Sequence, residues 1–194
     1  LKQKSCDHSK LGNKNAMSAQ NTISTYGWVA KLLHWSMAVL ILGMLALGYY
    51  MGTVEKSPFK FELYWWHKSF GTLILMLVTV RLAWKATNPR VASLPMPHWQ
   101  KRAAKATHIA LYFLMVAMPL SGLVMSNAHG FPVSVFGLFT LPELTTSNHE
   151  VGELMEELHE LGMYSFFVLI SLHVAGALKH HFLDKDATLR RMLP

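Results

Sequence analysis

The sequence predicts an all-α protein that crosses a membrane four times as a four-helix bundle. Its 194 residues are 52% hydrophobic, and the apolar residues are gathered in four blocks instead of being spread along the chain. The blocks cover residues 28–51, 65–84, 106–126 and 163–182, and each approaches the ~20 residues that a helix needs to cross a hydrocarbon core. Soluble proteins of this size rarely contain four such helices, so we expect a polytopic membrane protein.

Charged residues are sorted by loop, which predicts the orientation of the bundle. The net charge is +7, but no single basic face or arm is present, so nucleic acid is not an expected partner. Segment 127–158 contains five glutamates and no lysine or arginine. The basic residues lie in the other polar segments, chiefly Lys2, Lys4, Lys10, Lys14, Arg90, Lys101, Arg102, Lys105, Lys179, Lys185, Arg190 and Arg191. The positive-inside rule then places both termini in the cytoplasm and segment 127–158 outside.

The segments between the blocks also carry structural signals. Residues 52–64 include Pro58 and suit a tight connection between antiparallel helices. Residues 129–139 are apolar, but they are too short and too interrupted by Gly and Pro to span, so we expect them to lie over the outer mouth of the bundle. Asn148 predicts a helix N-cap, and the helix that it begins is expected to continue into the fourth span.

Residues 1–25 form a polar leader without the apolar core of a cleaved secretory signal. We expect this leader, residues 1–25, to be disordered or an extension of the gene model, and the first methionine, Met17, agrees with the second alternative for residues 1–16. Cys6, the single cysteine, lies in this leader, so a disulfide framework and a cysteine metal ligand within the spans are both excluded. We therefore expect one functional domain, residues 26–194.

Five histidines fall within the predicted spans, where an ionisable side chain is costly and marks a functional site. They are His34 in the first span, His67 in the second, His108 in the third, and His159 and His173 in the fourth. The last two are fourteen residues apart, which places their rings within about 40° of each other around the helix and ~21 Å apart along it.

The alternating direction of the spans sorts these histidines into two couples at matched depth. His67 and His159 are expected near the outer surface, and His34 and His173 near the inner one. Two imidazoles are the axial ligands of a six-coordinate haem iron, which suits electron transfer. Because the chain has no Cys-x-x-Cys-His motif, the haem must be non-covalently bound and hence b-type. The sequence thus predicts two b haems, stacked across the membrane.

Some of these assignments have alternatives. His108 also lies at inner depth and competes with His34 as a ligand; we prefer His34, with His108 near a haem propionate or a quinone head group. Arg81 follows His67 by fourteen residues and either pairs with a propionate of the inner haem or extends to the lipid head groups. A further alternative is that the histidines serve only as hydrogen bonders between helices.

Several motifs together resemble a known family. They are Leu33-His34-Trp35, His67 with Gly71, Val80-Arg81-Leu82, His159, His173, His180-His181-Phe182 and the tail 186–194. With these residues, positions 25–194 resemble the bacterial cytochrome b561 family, which is similar to the membrane cytochrome b subunits of nickel-iron hydrogenases and formate dehydrogenases. The resemblance implies a protein of the bacterial inner membrane with two b haems on His34, His67, His159 and His173. It also implies exchange of electrons with ubiquinone, and superoxide oxidation in some members.

We therefore expect a diheme cytochrome that transfers electrons between the quinone pool of a respiratory chain and a periplasmic partner or a small oxidant or reductant. One alternative is a superoxide oxidase, for which Lys56, Lys60 and Lys68 would form a basic patch beside the outer haem. Another is a haem-bearing anchor subunit of a larger dehydrogenase. A divalent-metal carrier is the alternative from a different class, and the lack of internal repeats counts against it.

Overall fold

The computed structural model describes residues 18–193, which form four long helices and a small hairpin. The helices are α1 (Trp28–Thr53), α2 (Pro58–Thr87), α3 (His98–Ala128) and α4 (His149–Phe182); the hairpin strands are β1 (Ser134–Val135) and β2 (Phe139–Thr140). All four helices are long and apolar enough to cross a membrane. The predicted all-α membrane bundle is confirmed, and the predictions made for residues 1–17 lie outside the described residues.

Helix α2 begins well before its apolar block. The Ser57 side chain accepts a hydrogen bond from the backbone of Lys60, and Pro58 takes the first helical position, where its missing N–H has no cost. The predicted connection over residues 52–64 is therefore wrong in its extent, because only residues 54–57 separate α1 from α2.

Helix α4 is the longest element, with 34 residues. Asn148 caps it as predicted, since its side-chain oxygen accepts from the backbone N–H of Val151 at 3.2 Å. Glu150 lies in the first turn, where a negative charge complements the helix dipole. The helix then continues without a break through His159 and His173, so both histidines lie on one rigid element.

The helices do not all pack equally. Close contacts join α1 to α2, α2 to α3, and α3 to α4, whereas α4 does not pack closely against α1 or α2. Gly162 of α4 lies so near Met118 of α3 that a Cβ at this position would collide with the Met118 sulfur. The centre of the bundle is filled by Met37, Leu45, Ile74, Val78, Met115 and Phe166. Large apolar side chains on the outer faces of all four helices are exposed, as lipid-facing surfaces require.

The hairpin packs against α2 near one end of the bundle, which we call the hairpin end. Its turn consists of Phe136, Gly137 and Leu138, and the first two have positive φ angles of 50° and 72°, a backbone conformation found in tight hairpin turns. This conformation is unfavourable for phenylalanine. It is held by the buried Ser69 of α2, whose hydroxyl accepts from Phe136 N at 3.1 Å and donates to Ser134 O. As predicted, the segment does not span, and it packs against α2.

Three segments close the opposite end, which we call the tail end. Residues 18–25 of the predicted leader are attached there, because Trp28 N donates to Ser18 O and Ala92 N donates to Ile23 O. The segment after α4 reaches the same loop, since the Arg191 guanidinium donates to Ala92 O at 2.8 Å. Segments 18–27, 88–97 and 183–193 together form what we call the tail-end cap.

Replacement of Ser69 by alanine should loosen the hairpin. The change removes the acceptor of the Phe136 N–H and the donor to Ser134 O, and an unsatisfied buried group costs about 1–3 kcal/mol. We expect faster limited proteolysis within the hairpin in Ser69→Ala. Thr79→Ala is the control, because the Thr79 hydroxyl bonds to Leu75 O of its own helix. Equal resistance of the two variants would contradict this account of the hairpin.

Candidate functional site

The structure brings the histidines of the spans together at two levels. At the hairpin end, the ring centroids of His67 from α2 and His159 from α4 are 6.1 Å apart. At the tail end, those of His34 from α1 and His173 from α4 are also 6.1 Å apart. The two couples expected from matched depth are therefore neighbours. In each couple, one ring belongs to α4 and the other belongs to a helix, α1 or α2, that does not pack closely against α4.

The spacing of each couple leaves room for a metal between the rings. A metal–imidazole bond is ~2 Å long, so two such bonds in line, with half a ring on each side, would separate the centroids by ~6 Å. Direct hydrogen bonding between the rings is not observed among the described residues in either couple. The geometry is thus compatible with two axial imidazoles on one metal.

His159 is held by α3. Its Nδ1 lies 3.0 Å from the hydroxyl of Ser121, and its ring rests against Gly122, where a Cβ would come within 3.1 Å of Cε1. A side chain at this position would force the ring to shift by a few tenths of an ångström, so glycine favours this close approach. Sequence reasoning missed both residues. A serine and a glycine side by side in an apolar span are too common at helix contacts to single out a site.

His67 has a different environment. Its Nδ1 is buried and has no hydrogen-bond partner in the described part of the chain, and its Cε1 lies 3.4 Å from the Cβ position at Gly48 of α1. Buried polar atoms nearly always have a partner. An unsatisfied imidazole beside a second imidazole is the arrangement expected of a site for an external group.

At the tail end, His173 lies between two histidines. The His108 centroid is 5.3 Å from that of His173, closer than the 6.1 Å of His34. The competition between His34 and His108 expected from the sequence is therefore present in the structure, which places both rings beside His173.

Arg81 from α2 bonds directly to this group. Its Nη2 lies 3.0 Å from Nδ1 of His34, and its Nε donates to the hydroxyl of Tyr112 at 3.3 Å. A guanidinium can only donate, so Nδ1 of His34 is the acceptor in this contact. Lys85 lies 4.2 Å from the centroid of the Tyr112 ring. The tail-end site thus contains two cations and no carboxylate among its hydrogen-bond partners in the described residues, which favours an anionic group nearby.

The tail-end cap closes over this site. The indole N–H of Trp35, which follows His34, donates to Met192 O at 2.8 Å, and burial raises the pKa of the Tyr26 hydroxyl. His180, in the last turn of α4, is mostly enclosed and bonds to Asp186 at 2.7 Å. It is enclosed because the segment after α4 folds back on the helix end.

Asp186 fixes that segment through its charge. Burial by itself raises the pKa of this carboxyl, but hydrogen bonds from Thr188 and His180 outweigh it and hold the pKa below the usual 3.8. Because the pKa of Asp186 is lower in the folded state, its carboxylate stabilises that state above pH 3.8. The stabilisation is lost only as the pH falls through the folded-state pKa. The cap is therefore expected to stay closed throughout the physiological range.

A membrane-embedded helical bundle in which paired histidines from separate helices face each other defines a class, the integral-membrane cytochromes. Comparison with known proteins agrees. Residues 25–194 match the family described as prokaryotic cytochrome b561. The chain is 40% identical to "Cytochrome b561 homolog 2" of Escherichia coli (strain K12) over 185 residues, covering 91% of this chain and 95% of that protein.

Two further relatives match a shorter part. The chain is 35% identical over 130 residues to "Cytochrome b561 homolog 1" of Escherichia coli (strain K12), and 30% identical over 129 residues to "Probable superoxide oxidase CybB" of Yersinia pestis. Each alignment covers 66% of this chain and 73% of the relative.

The chain belongs to the prokaryotic cytochrome b561 family. It is a bacterial membrane cytochrome that binds b-type haem. The predicted electron-transfer function is confirmed for the family, and this disfavours the alternative of a divalent-metal carrier.

The contact between Gly122 and His159 makes a testable prediction. In Gly122→Ala the new methyl group would lie 3.1 Å from Cε1 of His159, so the ring must shift. Because the chain binds b-type haem and His159 is a candidate ligand, we expect faster loss of haem from the purified protein to an apoprotein acceptor. Gly52→Ala is the control, because a Cβ there meets nothing within 4 Å. Equal rates of haem loss in the two variants would argue against this role of Gly122.

Proposed function

We propose that the chain is a diheme b cytochrome that carries electrons between the two faces of the membrane. His67 and His159 would ligate one haem, and His34 and His173 the other. The observation that carries this proposal is the pair of equal centroid spacings, 6.1 Å at each end, between α4 and helices that it does not closely contact. When bound, the haems would supply one-electron redox centres at two depths.

The chain's own residues would orient and enclose these centres. The fourteen-residue interval on α4 sets the two levels ~21 Å apart along the helix. Phe166, seven residues from each α4 histidine, is buried in the core between them. The apolar core excludes water from the region between the levels, and the hairpin and the tail-end cap cover the ends.

We assign His34 in preference to His108 as the second tail-end ligand. With this choice, the two histidines of α4 have one partner on α1, which is His34, and one on α2, which is His67. Arg81 is placed to release Nδ1 of His34 and donate to a carboxylate instead, because a guanidinium forms its strongest hydrogen bonds with such a group. Haem propionates are carboxylates. His108 would remain beside the site as a polar contact for a propionate or a quinone head group.

The proposed orientation places the tail end in the cytoplasm and the hairpin end in the periplasm, in the inner membrane of a bacterium. It rests on the charges: Lys85, Arg90, Lys101, Arg102 and Lys105 lie around the tail-end loop, whereas segment 127–158 carries only acids. Electrons would then pass between a periplasmic donor or acceptor at the hairpin end and ubiquinone in the membrane.

Histidine variants test the haem assignment. A pyridine haemochrome assay on the purified chain should give about two haems b per polypeptide. His67→Ala and His159→Ala should each lose one haem, and His34→Ala and His173→Ala should each lose the other, distinguishable by redox titration. His108→Ala should retain both. His149→Ala, with its side chain 79% exposed, is the control. A wild-type content of one haem would overturn the proposal, and loss of a haem in His108→Ala would reassign the ligand.

Superoxide is a second candidate reductant, and one feature of the hairpin end favours it. Lys68, next to His67, is half-buried; its ammonium group bonds to the Ser126 hydroxyl at 3.3 Å and approaches Pro132 O. No acidic side chain pairs with it among the described residues. An unpaired cation at an opening attracts small anions. Superoxide would give up one electron there and leave as oxygen, and two such electrons with two protons convert a quinone to a quinol.

Removal of the Lys68 charge tests this candidate. The haems of Lys68→Gln should be reduced more slowly than those of wild type in a superoxide-generating system at low ionic strength, and the difference should shrink as salt screens the charge. Lys56→Gln removes the same charge from an exposed position at the same end and should have a smaller effect. Rates that are unchanged in Lys68→Gln and independent of salt would exclude guidance of an anion by this residue.

A further inference from the structure

His159 differs from the other histidines of the two couples because a hydroxyl of a neighbouring helix contacts its Nδ1. The Ser121 hydroxyl oxygen lies 3.0 Å from this nitrogen. Ser121 belongs to α3, which contacts α4 closely. His159 is therefore oriented by a helix that lies outside its own couple.

The positions of the protons follow from counting donors. The Ser121 hydroxyl has one proton, and it is directed to Met118 O at 2.9 Å, which can only accept. The serine oxygen is then free to accept from Nδ1 of His159. A neutral imidazole that donates through Nδ1 carries its lone pair on Nε2.

We infer that Ser121 is a positioning residue for the haem at the hairpin end. Its hydroxyl holds Nδ1 of His159 as a donor, presents Nε2 as the ligand and increases the electron density on that nitrogen. The inference rests on the proposed role of His159 as an axial ligand. Outer hydrogen bonds of this kind fix the tautomer of a ligating histidine and strengthen it as a base. A more basic ligand stabilises the oxidised metal, so the contact lowers the reduction potential of this haem.

The tail end has the opposite polarity. There, the group at Nδ1 of His34 is a donor, the guanidinium of Arg81, and not a hydroxyl that can accept from the ring. Ser121 touches the hairpin-end couple and has no contact with His34, His108 or His173 among the hydrogen bonds of the described residues. A change at Ser121 should therefore affect one haem and leave the other as it was.

The test is a redox titration of the haem-loaded, purified chain, followed by visible absorption. Ser121→Ala removes the acceptor of Nδ1 but keeps all four proposed ligands, so both haems should remain bound. The midpoint potential of one haem should shift upward, and that of the other should stay at its wild-type value. Ser121→Thr restores the hydroxyl and should return the first potential to the wild-type value.

Ser165→Ala provides the matched control, because the Ser165 hydroxyl also bonds to a backbone carbonyl of its own helix, Leu161 O at 2.8 Å, and should titrate as wild type. If Ser121→Ala loses haem, Ser121→Cys, in which sulfur is the weaker acceptor, should show the upward shift in its place.

Three outcomes would overturn the inference: wild-type potentials in Ser121→Ala, a downward shift, which would make Ser121 a donor to the ring, or equal shifts of both haems. Failure of the proposed function would look different. In that case wild-type protein would lack two haems, or His159→Ala would retain both.

Discussion

Imidazole rings inside a membrane cannot form hydrogen bonds with water, so each ring must bind another polar group of the protein or of a ligand. This constraint explains why α4 stands apart from α1 and α2 although it carries half of each histidine couple. Close packing there would fill the space in which the rings face each other. The contacts that hold α4 must then come from α3, and the Gly162 approach to Met118 provides them.

Helix α3 accordingly has a supporting role at both levels. It contributes Ser121 and Gly122 beside His159 at the hairpin end, and it contributes Tyr112 and His108 at the tail end. The two levels nevertheless differ in polarity. The Ser121 hydroxyl contacts the ring of His159, whereas a cation contacts the ring of His34. Two chemically similar cofactors bound in these places would therefore experience unequal electrostatic surroundings.

The membrane bundle could be predicted from the sequence because four apolar blocks of about twenty residues are each long enough to cross a bilayer and too long for most soluble cores. The ends of the helices could not be predicted, because hydropathy identifies only the part of a helix that lies in lipid. Polar caps such as Ser57 and Asn148 extend α2 and α4 beyond that part. The hairpin also escaped prediction as strands. Each strand has two residues, and the turn at Phe136 depends on a hydroxyl from a distant helix, Ser69.

For the site, depth and helical periodicity were enough to pair His67 with His159 and His34 with His173, because both follow from regular geometry. The preference for His34 over His108 did not follow from that geometry, since His173 has both as neighbours. Ser121 and the enclosed position of His180 depend on side-chain packing between segments that no local pattern connects.

The uninterrupted run of α4 from His149 to Phe182 also limits how this architecture can change during evolution. Insertion or deletion of a single residue between His159 and His173 would rotate one ring by about 100° relative to the other and misalign one couple. Changes of seven residues nearly preserve the facing, but they alter the separation by ~10 Å. The geometry of the helix thus restricts the number of residues between His159 and His173 to a few values. The length of the path between the two levels can therefore change only in steps of several residues.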